Sequence, residues 1–259
     1  MATSEKWADL APRVLSAIVM VAVGGAAIVY GGMAFKALAI LCTGLMVGEL
    51  AKMTAPTADL QAQLVGILAG GIMSLVVTTG HPIGVILFFV VPFVGVFQKR
   101  IQKFAFFLYA IAIQFAVYEL VVMRETGGVS FMVWIVLVVV ASDVLGYFAG
   151  RTFGGPKFWP AVSPKKTWSG TMAGWIGAGL VGAGYVALSG AAEFFVILSM
   201  VTAFAGQMGD IAESAIKRRC GIKDSSNLIP GHGGLLDRFD ALIGAALFLG
   251  FIGFGIGGM

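Results

Sequence analysis

The chain has 259 residues, of which 59% are hydrophobic and only 12% are charged. Soluble domains are about half apolar and about a quarter charged, so this composition excludes an ordinary soluble protein and predicts an integral membrane protein. The net charge of +4 comes from Lys and Arg in the short segments between apolar runs. That placement is typical of the positive-inside bias of membrane proteins, so the basic excess does not predict a nucleic-acid partner.

Nine apolar runs predict an all-α, polytopic fold with about nine transmembrane helices. A helix needs about 20 residues to cross a hydrocarbon core of about 30 Å, and most of the runs approach that length. The third and fourth runs are short and only Gly80, His81 and Pro82 separate them, so they are predicted as a tight helical hairpin or a partly re-entrant pair. The runs are 14–31, 33–49, 64–79, 83–97, 104–122, 129–150, 172–192, 194–209 and 241–259.

The distribution of Lys and Arg predicts the orientation of these helices. Basic clusters lie at Lys52 and at 98–103, 151–166 and 217–223, and two apolar runs separate each cluster from the next. All four clusters therefore fall on one face of the membrane, and the positive-inside rule makes that face cytoplasmic. We expect a bacterial-type inner membrane, with both termini on the opposite face if all nine runs cross it.

Few charged residues lie within the apolar runs. Asp143 lies inside the run 129–150, where a carboxylate is costly and usually faces a polar cavity or a partner. It is interpreted either as lining a catalytic cavity or as a buried acid paired with an Arg or a backbone donor. Glu49 and Glu119 lie at the ends of runs, where an interfacial carboxylate costs little, and His81 lies in a turn; all three are predicted to have no role in chemistry.

The most polar stretch of the chain is 214–240, which reads SAIKRRCGIKDSSNLIPGHGGLLDRFD. It contains five Lys or Arg, three Asp, one His and four Gly. It is too polar to cross a bilayer and too close to apolar runs to be a free tail. We predict that it forms a surface that handles phosphates at the level of the lipid headgroups.

The helix that begins at Phe194 is predicted to continue into this stretch, because no helix-breaking residue interrupts it. Asp210, Ser214 and Lys217 are then spaced i, i+4 and i+7 and lie on one helical face. An acid, a hydroxyl and an amine in such a column could hold a metal ion and a phosphate together. The alternative is the end of an amphipathic helix with a surface pair between Glu213 and Lys217.

After Gly221 ends that helix, the residues 230–234 form a loop with little side-chain bulk. Glycines let a backbone approach a phosphate and direct its N–H groups at it. Asp237 and Asp240 follow at a spacing of three, so both can face one site, and carboxylates suit Mg²⁺. The alternative is a polybasic patch on anionic lipid, which explains the residues 217–219 but not the His-Gly-Gly turn or the Asp pair.

These residues resemble the signature of the CDP-diacylglycerol synthases, also called phosphatidate cytidylyltransferases. The resemblance covers about the last 120 residues, and one departure is Ser169, where the family usually has Glu. A second segment agrees, with Asp143, Tyr147, Gly150, Arg151, Gly154 and the residues 163–170. The signature positions of the first segment are Ser214, Ile216, Lys217, Arg218, Lys223, Asp224, Ser226, Ile229, Pro230, His232, Gly233, Gly234, Leu235, Asp237, Arg238, Phe239 and Asp240.

The resemblance implies a reaction in which phosphatidate and CTP give CDP-diacylglycerol and pyrophosphate. It implies Mg²⁺ as the cofactor, with a second metal ion left open, and it implies a homodimer. It divides the single membrane domain into N-terminal transmembrane helices, 1–125, and a catalytic transmembrane region, 126–259, with loops 151–170 and 214–240. The implied catalytic residues are Asp210, Ser214, Lys217 and Asp237, and the implied metal ligands are Asp210, Asp237, Asp240 and Asp143. The implied substrate-binding residues are Lys165, Lys166, Thr167, Arg218, Lys223, Asp224, His232, Gly233, Gly234 and Arg238, among which His232 is expected to shape the glycine loop rather than act as a base.

Two other functions compete with this one. A membrane transporter of a phosphorylated solute would suit an intramembrane Asp143 and the 37 glycines, but a transporter site lies near the bilayer midplane and the charges here concentrate in loops. A CDP-alcohol phosphotransferase would call for a D-G-x2-A-R run followed by spaced Gly and Asp, which the sequence lacks.

Overall fold

Residues 10–255 are described by a computed structural model, which shows an all-α membrane protein with one small β-hairpin. The hairpin lies in the predicted loop 151–170, and a single β-bridge between Ile229 and Gly233 is the other β feature among the described residues. The elements in chain order are α1 (Leu10–Tyr30), α2 (Gly32–Thr54), α3 (Asp59–Thr79), a 3-10 helix (Pro82–Phe89), α4 (Val90–Val96), α5 (Lys103–Phe153), β1 (Lys157–Trp159), β2 (Ser163–Thr167), α6 (Trp168–Ser189), α7 (Phe194–Arg219) and α8 (Leu236–Gly255).

Six helices within residues 10–255 are long and apolar enough to cross a membrane, namely α1, α2, α3, α5, α6 and α7. This confirms the prediction of a polytopic integral membrane protein. The predicted ninth run, 241–259, corresponds to α8, which begins with charged residues, and its last four residues lie outside the described part of the chain.

The longest helix, α5, contains two of the predicted runs. Its 51 residues would extend about 76 Å if straight, which is more than twice the thickness of a hydrocarbon core. The helical geometry is interrupted at Gly128, where φ is 71° and ψ is −163°, a conformation that glycine adopts without a steric penalty. The kink separates the residues 103–127 from 129–153, in agreement with the predicted runs 104–122 and 129–150.

The predicted helical pair around Pro82 takes a different form. The first member, α3, is a regular helix of 21 residues, but the second begins as a 3-10 helix and becomes α-helical only at Val90. The backbone N–H of Ile83 donates to His81 Nδ1, so His81 caps the 3-10 helix, as its predicted structural role requires. Because a 3-10 helix rises about 2.0 Å per residue, the 15 residues from Pro82 to Val96 extend about 26 Å.

Contacts between residues divide the chain into two units. Unit 1 comprises the described residues up to 121 together with 219–239, and unit 2 comprises 122–218 together with the described residues from 240 onwards. The predicted boundary at residue 125 remains a prediction. The C-terminal motif is thus divided: its glycine loop belongs to unit 1, whereas the acidic end of α7 belongs to unit 2.

In unit 1, α2 and α3 approach closely through glycines. A Cβ atom on Gly66 would lie 2.6 Å from the carbonyl oxygen of Gly44 and 3.2 Å from the Cα of Gly48, so no larger side chain fits there. Small residues allow such close packing in a membrane, where water does not drive helices together. This packing fixes the end of α2, from which Glu49 extends.

The predicted basic cluster 98–103 also has a structural role in unit 1. Arg100 donates from Nη1 to the carbonyl oxygen of Ala51 at 2.8 Å and to Thr54 Oγ1 at 3.0 Å, and its guanidinium lies 3.9 Å from the ring centre of Phe106. Burial lowers the pKa of Arg100 to about 10. This contact ties the loop before α5 to the C-terminal end of α2.

In unit 2, a buried amide joins three helices. Gln207 of α7 donates from Nε2 to Ser142 Oγ of α5 at 3.1 Å and to the carbonyl oxygen of Thr171 of α6 at 3.3 Å. Its Oε1 accepts from Trp175 Nε1 at 3.0 Å. Polar contacts between helices are a recurrent means of association in membranes, and this one lies one turn before Asp210.

Candidate active site

The C-terminal half of α7 carries an acid and a hydroxyl on one face. The helix continues without interruption to Arg219, and Gly221, with φ of 73°, follows its end; this confirms the predicted extent of the helix. Ser214 Oγ donates to Asp210 Oδ1 at 3.2 Å, which is the contact expected for residues spaced i and i+4.

A lysine from the β-hairpin approaches the same carboxylate. The β1–β2 hairpin ends at Thr167, and the residue before it, Lys166, places Nζ 2.5 Å from Asp210 Oδ2. Both side chains are partly exposed, so their charges remain accessible to a ligand. Lys166 of the motif segment 163–170 thus contacts Asp210, which lies one helical turn before the motif stretch 214–240, within unit 2.

A second carboxylate, Asp240, lies near this pair. It belongs to the charged first turns of α8, outside the six candidate spans, and its Oδ1 accepts from the backbone N–H of Ala241 at 2.7 Å. Burial, reinforced by the negative charges of Asp210 and Asp143, raises the pKa of Asp240 to about 7, although Lys217 and the Ala241 N–H act in the opposite direction. This local excess of negative charge would be neutralised by a cation.

Glycines hold α7 and α8 close enough for these carboxylates to interact. A Cβ atom on Gly209 would overlap the carbonyl oxygen of Asp240 and lie 2.9 Å from the backbone nitrogen of Gly244. Gly209 directly precedes Asp210, and it contacts the backbone of Asp240. The close packing of α7 and α8 at Gly209 therefore fixes the backbone positions of Asp210 and Asp240.

Lys217 pairs with Glu213 on the same helix. Its Nζ donates to Glu213 Oε2 at 2.6 Å, but the Glu213 side chain is fully buried and Lys217 is nearly so. The alternative of a surface pair was therefore wrong about its environment. Loss of either partner would leave a buried charge uncompensated, so Glu213 holds Lys217 in place near Asp240.

In unit 1, Asp237 closes the glycine loop. Its carboxylate accepts hydrogen bonds from Ser225 N at 2.9 Å, Ser225 Oγ at 2.9 Å and Gly234 N at 2.8 Å. Gly233 has φ of 85°, and a Cβ atom there would lie 2.8 Å from Asp237 Oδ2. The two glycines that follow His232 thus leave room for this carboxylate and give it a donor.

His232 and Arg238 complete the shape of the loop. His232 Nδ1 lies 2.7 Å from Ser16 Oγ of α1, and Ser16 Oγ also lies 3.1 Å from the carbonyl oxygen of Pro230, to which it can donate. Arg238 Nε donates to the carbonyl oxygen of His232 at 3.1 Å. These contacts are those of residues that set the path of the backbone, in keeping with the role expected of His232.

Glu49 is the residue that sequence reasoning missed. It was predicted as an interfacial carboxylate of little consequence, but it is buried, with 8% of its surface exposed. It accepts from Leu235 N at 3.0 Å, Leu236 N at 2.7 Å and Ser226 Oγ at 2.6 Å. These partners are 177 to 187 residues away along the chain, so no local pattern in the sequence could have indicated them.

The remaining predicted residues take several positions. Thr167 is buried and caps α6, because its Oγ1 accepts from Gly170 N at 3.2 Å. Ser169, the departure from the family pattern, donates to the carbonyl oxygen of Gly154 at 2.5 Å. The residues with exposed side chains are Asp143, Lys165, Arg218, Lys223 and Asp224.

A cavity of about 920 Å³ lies against α2 and α3 in unit 1. Its lining is mainly apolar, and Glu49, Lys52 and Ser226 contribute polar atoms to it. Concave sites with apolar walls and a few polar groups are the usual form of small-molecule sites.

No three His, Cys, Asp or Glu side chains within residues 10–255 are grouped closely enough to hold a metal ion. Mg²⁺, however, is commonly held by one or two carboxylates, with substrate phosphates and water completing its coordination. Asp210 and Asp240 are two carboxylates close enough for the charge of one to raise the pKa of the other.

Comparison with known proteins agrees with this chemistry. The family model described as the cytidylyltransferase family matches residues 11–254. The chain therefore belongs to the cytidylyltransferase family, which confirms the resemblance stated from the motifs.

Several relatives are named phosphatidate cytidylyltransferase. The protein of that name from Brucella abortus (biovar 1, strain 9-941) is 44% identical over 132 residues, 50% of this chain and 48% of the relative. The one from Haemophilus influenzae is 40% identical over 134 residues, which are 49% of this chain and 46% of the relative. The one from Helicobacter pylori strain J99 is 38% identical over 176 residues, which are 66% of this chain and 65% of the relative. The chain thus spans about half the length of the first two relatives in these matches.

Proposed function

We propose that this protein transfers CMP from CTP to phosphatidate, giving CDP-diacylglycerol and pyrophosphate for phospholipid synthesis. The observation that carries the proposal is the contact of Lys166 with Asp210, beside Ser214 and Asp240, in a member of the cytidylyltransferase family. The names of the relatives supply the substrate class.

The chemistry asks mainly for charge stabilisation. A phosphate oxygen of phosphatidate attacks the α-phosphorus of CTP, the bond from that phosphorus to the bridging oxygen breaks, and pyrophosphate leaves. The nucleophile is already anionic, so no strong general base is needed. Lys166, which contacts Asp210, and Lys217, which lies near Asp240, would offset the negative charge that two phosphate-bearing substrates bring to this site.

Mg²⁺ is proposed as the cofactor, held by Asp210 and Asp240. When bound there, such an ion neutralises charge on the phosphate oxygens and on the leaving pyrophosphate. Ser214 would orient Asp210 through its hydrogen bond. Asp143 and Asp237 are the other carboxylates proposed from the family signature, and a second metal ion would draw on them.

The glycine loop is proposed to bind phosphate. The glycines bring little side-chain bulk, so a phosphate can approach the backbone of the turn, although the Gly234 N–H is bonded to Asp237. Lys223 and Arg238 add positive charge on either side of the His-Gly-Gly turn in the sequence. The family signature supports its participation in the same reaction. The residues proposed to bind substrate elsewhere in the motifs are Lys165, Thr167, Arg218 and Asp224, with Gly233 and Gly234 in the turn itself.

We also propose nine spans in a bacterial inner membrane, with the motif loops on the cytoplasmic face, and a homodimer. Counting the two halves of α5 separately and adding the segment 82–96 and α8 to the other five helices gives nine. With that count, the basic segments 98–103, 151–166 and 217–223 fall on one face, which the positive-inside rule makes cytoplasmic.

The experiment follows the two ends of the triphosphate separately. Purified protein is incubated with phosphatidate, Mg²⁺ and CTP labelled on either the α- or the γ-phosphorus. We expect the α label in lipid and the γ label in pyrophosphate, with no reaction when phosphatidate is omitted or a chelator is added. CTP consumption without lipid labelling would contradict the proposal, and accumulation of a phosphorylated solute in proteoliposomes would favour a transporter instead.

A further inference from the structure

We infer that Glu49 is a positioning residue for the reaction: it sets the geometry of the loop 223–238 from a helix early in the chain. The inference rests on the proposed function for its kinetic consequence, but its structural basis lies entirely within unit 1. Neither the motifs nor the family signature includes Glu49.

The carboxylate of Glu49 lies at the start of α8 and accepts from two consecutive backbone amides. Oε1 accepts from Leu235 N at 3.0 Å and Oε2 accepts from Leu236 N at 2.7 Å. The first N–H groups of a helix have no partner within the helix, and a negative charge there is favourable. Glu49 therefore determines where α8 begins.

The same carboxylate also holds the other side of the loop. Ser226 Oγ donates to Oε1 at 2.6 Å, and Ser225 Oγ lies 3.4 Å from Oε2. Ser225 is the residue that Asp237 binds through both its N–H and its hydroxyl. Glu49 and Asp237 are thereby linked through one serine, and a shift of Glu49 is passed to a proposed metal ligand.

The loop backbone is in tight contact with Glu49. A Cβ atom on Gly234 would overlap Ser225 Oγ and lie 2.7 Å from Glu49 Oε1. The second glycine of the His-Gly-Gly turn is therefore required by the serine and by the carboxylate that together hold the loop. A phosphate-bearing substrate is proposed to bind this loop, so a change in the position of the loop weakens substrate binding and raises KM.

Glu49→Gln tests the inference with almost no change of shape. Each carboxylate oxygen faces a backbone N–H, so either placement of the glutamine amide sets its NH₂ group against a donor. The loop then loses a charge-assisted hydrogen bond and gains a repulsive contact. Ser226→Ala is the milder variant, because it removes a single donor to Oε1. Glu193→Gln, an identical change at an exposed site before α7, is the matched control.

The first measurement separates KM from kcat. We expect Glu49→Gln to raise KM about tenfold or more for CTP or for phosphatidate, Ser226→Ala to raise it less, and Glu193→Gln to leave both constants unchanged. A residue that only supported the fold would lower the active fraction, and hence the apparent kcat, without changing KM. An unchanged KM for both substrates in both loop variants would overturn the inference.

The second measurement is amide hydrogen exchange in the wild type and the same variants, and it does not depend on activity. We expect faster exchange for the residues 225–236 in Glu49→Gln and Ser226→Ala, with α3 unchanged. Unchanged exchange in the loop would also overturn the inference. If the wild type fails to label lipid, the proposed function fails, and the exchange data still decide whether Glu49 holds the loop; if Glu49→Gln does not fold, Ser226→Ala decides it.

Discussion

At the scale of single residues, the motif contains side chains with two kinds of contact. Asp210 contacts both Lys166 and Ser214, and the charged or polar ends of these side chains are partly exposed. Thr167 and Asp237 are buried and bond to backbone N–H groups of their own segments. A substitution in the first group tests chemistry most directly, whereas one in the second group also disturbs a loop.

Lys166→Ala is the residue-scale prediction. The variant removes the cation 2.5 Å from Asp210 Oδ2, so a phosphate would meet the carboxylate without this compensating charge. We expect KM to rise about tenfold or more for a phosphate-bearing substrate, because hydrogen bonds to charged groups contribute about 1.5–3 kcal/mol. Steady-state lipid labelling measures this, with Lys99→Ala in the exposed loop before α5 as the control. An unchanged KM for both substrates would remove Lys166 from the site.

At residue scale, the sequence predicted which residues share a helical face but not the contacts that depend on loops. The spacing of Asp210 and Ser214 was enough, because a helix fixes which residues share a face. Asp237 was predicted as a catalytic residue and a metal ligand, and its bonds to Ser225 and Gly234 depend on a loop conformation that spacing does not define. An Asn variant of Asp237 would therefore disturb the loop whether or not it removed a ligand.

At the scale of elements, the site depends on how closely α7 and α8 pack in unit 2. The contact is between backbones, since Gly206, Gly209 and Gly244 lie against the facing helix. Backbone atoms cannot move aside as a flexible side chain can, so any added carbon must separate the two helices.

Gly209→Ala is the element-scale prediction. The new methyl group would overlap the carbonyl oxygen of Asp240 and the backbone of Gly244. We expect a loss of stability of about 1–3 kcal/mol, the usual cost of overpacking, and a larger proportional loss of activity because Asp210 and Asp240 move apart. Thermal unfolding and lipid labelling measure the two effects. Gly253→Ala on α8, where nothing lies within 4 Å, should change neither, and equal behaviour of the two variants would contradict this account.

A backbone inside a bilayer must form all of its hydrogen bonds within the protein, so an apolar run that crosses the bilayer by itself forms a helix. For this reason hydropathy predicted the regular helices. The same pattern did not distinguish the 3-10 helix that begins at Pro82 from an α-helix, since both are apolar. The β1–β2 hairpin was also missed, because β1 has only three residues and its pairing to β2 depends on a turn rather than on alternation.

At the scale of the whole molecule, the composition fixed the class of protein and the motifs fixed the family. What they could not supply are contacts between distant segments. Glu49 bonds to residues 176 to 187 positions away, and Lys166 reaches Asp210 from another segment of unit 2. Such contacts depend on how all the helices pack together. No local pattern in a single sequence therefore predicts them.

The most direct test of the central claim, that Asp210 binds a metal ion during CMP transfer, is Asp210→Cys assayed with Mg²⁺ and with Cd²⁺. A thiolate is a poor ligand for Mg²⁺ and a good one for a soft cation. We predict no lipid labelling with Mg²⁺ alone and partial recovery when Cd²⁺ is added, with Glu193→Cys active under Mg²⁺ and not improved by Cd²⁺. Full activity of Asp210→Cys with Mg²⁺ alone would contradict the account.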